Sequence, residues 1–212
     1  YCTIAQIDGP KVTLEQPLNF YHWGHAESTA AEYNGIDMRG EVVLLTRNIR
    51  IEGEDVDGWG GQVLVTDLFE ADGTWRQGSL IFNNVQVYNC SQADTFKAAI
   101  RWEGALGGQS KVTNSTVHGS MGWSVSIYRS NNVILADSSF IGSSPIGLHL
   151  DFVRNVTVTG SLIADVMPRK FTAGDQLVDK EACVAVCSYM TDGSPCHSLT
   201  ITGNIAAGCK FA

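Results

Sequence analysis

The sequence predicts an all-β chain wound as a parallel β-helix, a solenoid with loop insertions, and three observations lead there. First, a six-residue phrase recurs: Asn48-Ile-Arg-Ile-Glu-Gly, Asn84-Val-Gln-Val-Tyr-Asn, Ser110-Lys-Val-Thr-Asn, Asn132-Val-Ile-Leu-Ala-Asp, Asn155-Val-Thr-Val-Thr-Gly and Ser198-Leu-Thr-Ile-Thr-Gly, with starts 36, 26, 22, 23 and 43 residues apart. Self-similarity of that length marks repeat arrays. Second, apolar residues within each phrase lie two apart, the period of a strand and not of a helix. Third, 22 glycines and 17% charged residues among 212 suit short strands and many turns. A β-sandwich also spaces short strands regularly, but its hairpins would not repeat one phrase.

Taken in chain order, residues 1–40 form an N-terminal β segment leading into the solenoid. Residues 41–212 form the β-helix repeats, beginning with Val42-Val-Leu-Leu45 as a strand core. A single rung cannot bury its inward face, so rungs must stack, with strands ~4.8 Å apart and like side chains above one another. Val112, Val133, Val156 and Leu199 are expected as one inward column, and Val117, Phe140, Leu162 and Ile205 as a second. Asn48, Asn84, Asn132 and Asn155 are expected at a shared corner, where asparagine accepts left-handed backbone and bonds along the stack. The long intervals 48–84 and 155–198 imply loops bulging from regular rungs. The chain has no initiator methionine and stops in mid-rung, so it reads as a fragment of a larger protein.

The net charge is −8, and Glu52, Glu54, Asp55, Asp57, Asp67, Glu70 and Asp72 crowd a stretch free of Lys and Arg between Arg50 and Arg76. Nucleic acid and anionic membranes call for the opposite sign. No apolar run approaches the ~20 residues of a membrane span, so no direct membrane insertion is expected. Cys2, Cys90, Cys183, Cys187, Cys196 and Cys209 match no common zinc spacing and read as disulfide staples for loops in an oxidising compartment, their pairing open. Asn89-Cys-Ser, Asn114-Ser-Thr and Asn155-Val-Thr are N-glycosylation triplets. Asn114, near a turn, is the strongest of the three. Asn155, at the corner ladder, should be hidden.

Glu41-Val-Val-Leu-Leu-Thr-Arg-Asn-Ile-Arg-Ile51, with Val12-Thr-Leu and Pro17-Leu upstream and Ser115-Thr-Val-His-Gly-Ser120 downstream, resembles the fibrocystin and fibrocystin-like proteins. More distantly it resembles the cell-surface hyaluronidases that share their G8-plus-β-helix organisation. The resemblance implies right-handed parallel β-helix segments in a large extracellular or membrane-tethered glycoprotein. The hyaluronidase branch is rich in histidine before its Val-His turn; here that stretch is Ala99-Ile-Arg-Trp-Glu-Gly104, and His118 stands alone.

Enzymes of this architecture act on polysaccharides through charged side chains of adjacent rungs. Arg101, Ser126 and His149 are expected in one column, and Glu103, Tyr128 and Asp151 in another of the other parity. Glu103 and Asp151 would then lie ~9.6 Å apart, at the upper end of the ~6.5–9.5 Å span of an inverting glycosidase. The plainer expectation is two solvated surface carboxylates. Asp55-Val-Asp-Gly-Trp-Gly-Gly61 has the alternating Asp of a calcium loop but lacks the fifth-position Asn/Asp and the distal Glu, and reads as an acidic Gly-rich loop. His22 and His25 have no metal-ligand spacing. No metal or cofactor is expected. Trp59, Trp75, Trp102 and Trp123 could line a glycan track, although Trp is more often buried. The favoured function is an extracellular structural or adhesive segment without catalysis, stacking on itself or on neighbouring β-helix domains into filaments. The alternative is a polysaccharide-active enzyme, hyaluronidase-like or lyase, or a glycan-binding module, using the Glu103/Asp151 face.

Overall fold

A computed structural model describes residues 2–22, 24, 40–54, 56–167, 182–186 and 196–209. The chain divides into two compact units, Tyr1–Val43 and Leu44–Ala212. The first contains an antiparallel hairpin, Ile4–Asp8 with Lys11–Leu14, turned at Gly9 with φ 55°.

The second unit is a parallel β-solenoid. Its first sheet stacks Ile81–Asn83, Ser110–Thr113, Asn131–Ala136, Arg154–Thr159 and His197–Thr202. The second stacks Ile49–Glu52, Val85–Tyr88, Thr116–His118, Ser139–Ser143, Leu162–Val166 and Ile205–Cys209. The third stacks Val63–Val65, Ile100–Glu103, Val125–Tyr128, Ile146–Asp151 and Ala182–Val186. Each strand pairs in parallel with the strand of the next rung. Alternate residues point into the shared core, where Trp102, Phe140, Leu135, Leu148, Leu150 and Ile127 are fully buried. Each such side chain contributes about 1.5–3 kcal/mol by leaving water.

The expected columns hold in direction but slip in register. Val133, Val156 and Leu199 do stack, yet the residue below them is Ser110; Val112 lies under Leu135, Val158 and Ile201. Val117 and Phe140 stack on Ile163 and Ala206, while Leu162 and Ile205 belong to the neighbouring outward column over Ser139. A one-residue slip moves a side chain to the opposite face. The phrase itself comes from two faces: the copies at Asn48 and Asn84 feed the second sheet, and the other four belong to the first. Val42–Leu45 is not a strand; Val42 is 95% exposed. Beyond it, the Leu45 carbonyl accepts a 2.6 Å hydrogen bond from Thr116 Oγ1, and Arg47 Nε donates to the Asn114 carbonyl at 2.7 Å.

Four columns of left-handed residues turn the corners. Asn84, Asn114, Asp137, Gly160 and Gly203 separate the first sheet from the second. Asn89, Gly119, Gly142, Asp165 and Gly208 bend the chain at the far side of the second sheet, and Gly104, Arg129 and Phe152 leave the third. Asn132, Asn155 and Ser198 start strands of the first. The expected single corner is therefore two, with Asn84 on one and Asn132 and Asn155 on another. Asn and Asp bear positive φ at lower cost than other side chains because they bond locally.

Inside the first corner runs a polar column. Ser115, Ser138 and Ser161, spaced by 23 residues, are buried. Each hydroxyl donates to a carbonyl two residues back, at 2.7, 2.8 and 3.0 Å. Each also accepts the amide of Val85, Ser115 or Ser138 from the rung before, at 3.1–3.3 Å. Asn204 completes the column, accepting from the Ser161 amide at 2.9 Å.

The expected loop staples are corrected in part. Cys183 and Cys209 form a disulfide with Cα atoms 5.6 Å apart, joining strands of successive rungs and not two loops. Cys196 is also disulfide-bonded. Cys2 is an exposed free thiol, and Cys90 a buried one. Cys90 faces the core and donates to the Tyr88 carbonyl at 3.3 Å, and burial pushes its thiol up. Cys187 lies outside the described residues.

Candidate functional site

The third sheet presents the charged residues singled out from the sequence. Ile100 and Trp102 point inward, so Arg101 and Glu103 point out together; likewise Ser126 with Tyr128, and His149 with Asp151. The two expected columns exist, Arg101–Ser126–His149 and Glu103–Tyr128–Asp151. They are not of opposite parity. They lie side by side on one outer face.

Along that face several of the charged residues are paired or packed against rings. Arg101 Nη2 meets Glu103 Oε2 at 2.5 Å and its guanidinium lies over the Phe96 ring at 4.9 Å. Tyr128 occupies the rung between Glu103 and Asp151, with Phe152 edge-on at 5.8 Å and Arg129 over both rings at 5.1 and 5.5 Å. Glu103 is half-exposed, whereas Asp151 is 2% exposed, which corrects the expectation of two solvated carboxylates. In the column Tyr128 occupies the rung between the two carboxylates. His149 is 3% exposed, with Nδ1 3.1 Å from Ser126 Oγ and its ring 4.7 Å from Trp123. Burial lowers its pKa to about 4, so it is neutral at physiological pH.

A second polar cluster, not anticipated apart from His118, covers the second sheet. Gln86 Nε2 lies 2.8 Å from His118 Nε2, the His118 ring packs 4.8 Å from Tyr88, and Arg50 sits over Tyr88 at 4.9 Å while pairing with Glu52 at 2.8 Å. Burial and then the charge of Arg50 push His118 below its ordinary value. The signal was present in the repeat: Arg50 and Glu52 hold the same outward offsets as Gln86 and Tyr88, and the register aligns them.

Asp57 and Gly58, with φ of 54° and 81°, close a two-residue turn between Val56 and Trp59. Positive φ at both positions fits a hairpin turn. Asp55 and His25 lie outside the described residues, and His22 is exposed. Among the described residues no group of three His, Cys, Asp or Glu could hold a metal ion. Trp102 and Trp123 are buried; Trp59 and Trp75 are displayed.

The triplets differ in access. Asn89 Nδ2 donates to the Gly53 carbonyl at 3.1 Å, and its partner Ser91 is buried, its hydroxyl accepting the Gly122 amide at 2.6 Å. Asn114 and Asn155 are both exposed, each spending one amide hydrogen on a neighbouring rung: Asn114 to Asn83 Oδ1 at 3.1 Å, Asn155 to Asn132 Oδ1 at 2.8 Å. Ladder bonding thus does occur at Asn155, but it does not hide the residue.

The geometry defines an all-β protein of parallel solenoid type. The chain is 28% identical to fibrocystin of Mus musculus over 161 residues, 76% of this chain and 4% of that protein. It is 36% identical to a G8 domain-containing protein of Dictyostelium discoideum over 63 residues, 30% of this chain and 4% of that protein. It is 40% identical to fibrocystin-L of Mus musculus over 63 residues, 29% of this chain and 2% of that protein. These similarities support a fibrocystin-like relationship; the hyaluronidase branch gains no support. The chain spans only a few per cent of the length of these relatives. No family model matches, and no solved structure does.

Proposed function

We propose that this chain is a structural segment of an extracellular, cell-surface or matrix glycoprotein: a rigid parallel β-solenoid that spaces, adheres and stacks on neighbouring β-helical segments. The observation that carries the reading is the continuous ladder. Inward columns and left-handed corners run from rung to rung, and in the candidate acid pair Tyr128 occupies the rung between the two while Glu103 is paired with Arg101. Local similarity to fibrocystin and G8-domain proteins supports the extracellular setting, as does a disulfide joining two rungs. In this reading the exposed Asn114 and Asn155 carry N-linked glycans and the half-buried Asn89, tied to the Gly53 carbonyl, does not.

Stacking uses the outer edge of Ile49–Glu52, the strand that ends the second sheet among the described residues. An edge strand of this kind is a template for another strand, and head-to-tail contacts that do not close build filaments. Analytical ultracentrifugation over a wide concentration range is the test. Concentration-dependent end-to-end species, lost when Glu52→Pro removes a backbone donor from that edge strand, are expected. A strict monomer at every concentration rejects the stacking, and turnover of hyaluronan or polygalacturonate that is lost in Glu103→Gln and Asp151→Asn rejects the structural reading altogether.

A further inference from the structure

The first rung carries a feature that the solenoid does not need. Strands Leu68–Phe69 and Trp75–Arg76 form a small antiparallel hairpin with Phe69 opposite Trp75. The two rings are parallel to within 3°, with centres 5.9 Å apart. Both are displayed, Phe69 at 69% and Trp75 at 43% exposure, beside exposed Leu68. Aromatic area of that kind is ordinarily buried, and a rigid exposed patch marks an interaction site.

The hairpin is locked in place. The Asp67 carboxylate accepts the Trp75 indole N–H at 3.0 Å, the Gly78 amide at 2.8 Å and the Leu106 amide at 2.9 Å, so one side chain ties the hairpin to the loop of the next rung. Burial pushes Asp67 up, but these bonds and one from Gly107 outweigh it and hold the carboxyl below its ordinary value. At the hairpin base a Cβ on Gly78 would stand 2.2 Å from the Thr66 carbonyl, so backbone packs on backbone there. Next to the rings, Arg76 Nε pairs with Glu70 Oε1. A guanidinium has five N–H donors and a carboxylate two oxygens, so donors and an acceptor remain at the edge of the aromatic surface.

We propose that this hairpin is a binding site for uncharged glycan chains, with the Phe69 and Trp75 rings taking the C–H face of a pyranose and the Arg76–Glu70 pair bonding its hydroxyls. Flat apolar surface flanked by paired polar groups is the complement of a sugar ring, whose faces are C–H and whose rim is hydroxyl. The charge selects among glycans. The hairpin segment 67–78 carries Asp67, Glu70 and Asp72 against a single cation, Arg76, so sulfated or uronate chains are repelled and neutral chains are not. The site lies in a corner insertion that leaves the third sheet after Val63–Val65.

The test is titration of the protein with chitohexaose and with a poly-N-acetyllactosamine hexasaccharide, followed by tryptophan emission and saturation-transfer NMR. Hyaluronan hexasaccharide and heparin serve as anionic controls. Saturable binding of a neutral oligosaccharide with Kd on the order of 0.1–1 mM is expected. Phe69→Ala and Trp75→Ala should weaken it roughly tenfold or more and Arg76→Gln about threefold, with Trp59→Ala unchanged. Trp75→Phe, which keeps a flat ring, should restore much of the loss, and unchanged melting of Phe69→Leu separates binding from folding. Absence of saturation by about 10 mM overturns the proposal, as does preference for heparin or hyaluronan. Binding that survives Phe69→Ala overturns it too, as does self-association that is lost in Phe69→Ala.

Discussion

The middle rungs, residues 110–166, and the first rung, residues 48–80, obey one register but use their residues differently. In the middle, Ser115, Ser138 and Ser161 recur every 23 residues, and the inward positions Val112, Val117, Val125, Ile127, Leu135 and Phe140 are fully buried. In the first rung the strands Ile49–Glu52 and Val63–Val65 are no shorter than Ser110–Thr113 and Thr116–His118, but two hairpins are inserted at its corners, one turned at Asp57-Gly58 and the other carrying Phe69 and Trp75. The lesson is a division of labour. Ladder bonds fix each strand against its neighbour, so a corner can lengthen without disturbing the core, and the lengthened corner becomes free surface.

That contrast can be broken most severely at Phe140. Phe140→Ala leaves a cavity between Val117 and Ile163 and should cost about 3–5 kcal/mol in urea unfolding, whereas Phe69→Ala in the exposed hairpin should stay within roughly 0.5 kcal/mol. Equal losses would show that the inserted hairpin is part of the folding unit.

Acidification probes the third sheet of the same core. His149 has a folded pKa of about 4, below its ordinary 6.5. The unfolded chain therefore binds the proton more readily between these values, and stability falls as pH drops through that window. The loss should approach about 3 kcal/mol by pH 4. Asp67 acts separately: its lowered carboxyl contributes above the ordinary carboxylate pKa and is lost only at more acid pH. His149→Gln should flatten the decline between pH 6.5 and 4 in thermal unfolding series. A slope unchanged by that substitution would place the titration elsewhere.

The smallest expected effect sharpens the comparison at the polar column. Ser138→Ala strips the acceptor from the buried Ser115 amide and a donor from the Ala136 carbonyl, and should cost about 1–3 kcal/mol. Hydrogen exchange at the Ser115 amide should quicken at the same time. A neutral substitution would mean that water replaces the hydroxyl.

Much of this was legible beforehand, and the misses have physical causes. Strand direction and the existence of stacked columns follow from the two-residue apolar period. Register did not follow, for two reasons. Leu162 and Ile163 are consecutive apolar residues, so the sequence carries no parity signal there, and Leu162 was placed inward where Ile163 belongs. The expected column aligns the phrases by their first apolar residue, Val112 with Val133, but the rungs are aligned by the left-handed residues at the other end, Asn114, Asp137, Gly160 and Gly203. Strand Asn131–Ala136 simply starts earlier than Ser110–Thr113. At the candidate site the columns were readable, while the burial of Asp151 and the Arg101–Glu103 pair were not, because they depend on packing against Tyr128, Phe152 and Phe96. The acidic Gly-rich loop expected at Asp55–Gly61 contains a hairpin turn at Asp57-Gly58, a dipeptide whose turn character the sequence carries.

The serine column has a consequence for how such a molecule changes size. Because each hydroxyl answers only the rung before it, the pattern has translational symmetry, and removing or duplicating a 23-residue unit leaves both neighbours with the partners they already had. Length can then be adjusted in increments of roughly 4.8 Å. Such a backbone works as a graduated rod, whose span over evolutionary time is set by the number of copies and not by redesign of any one of them.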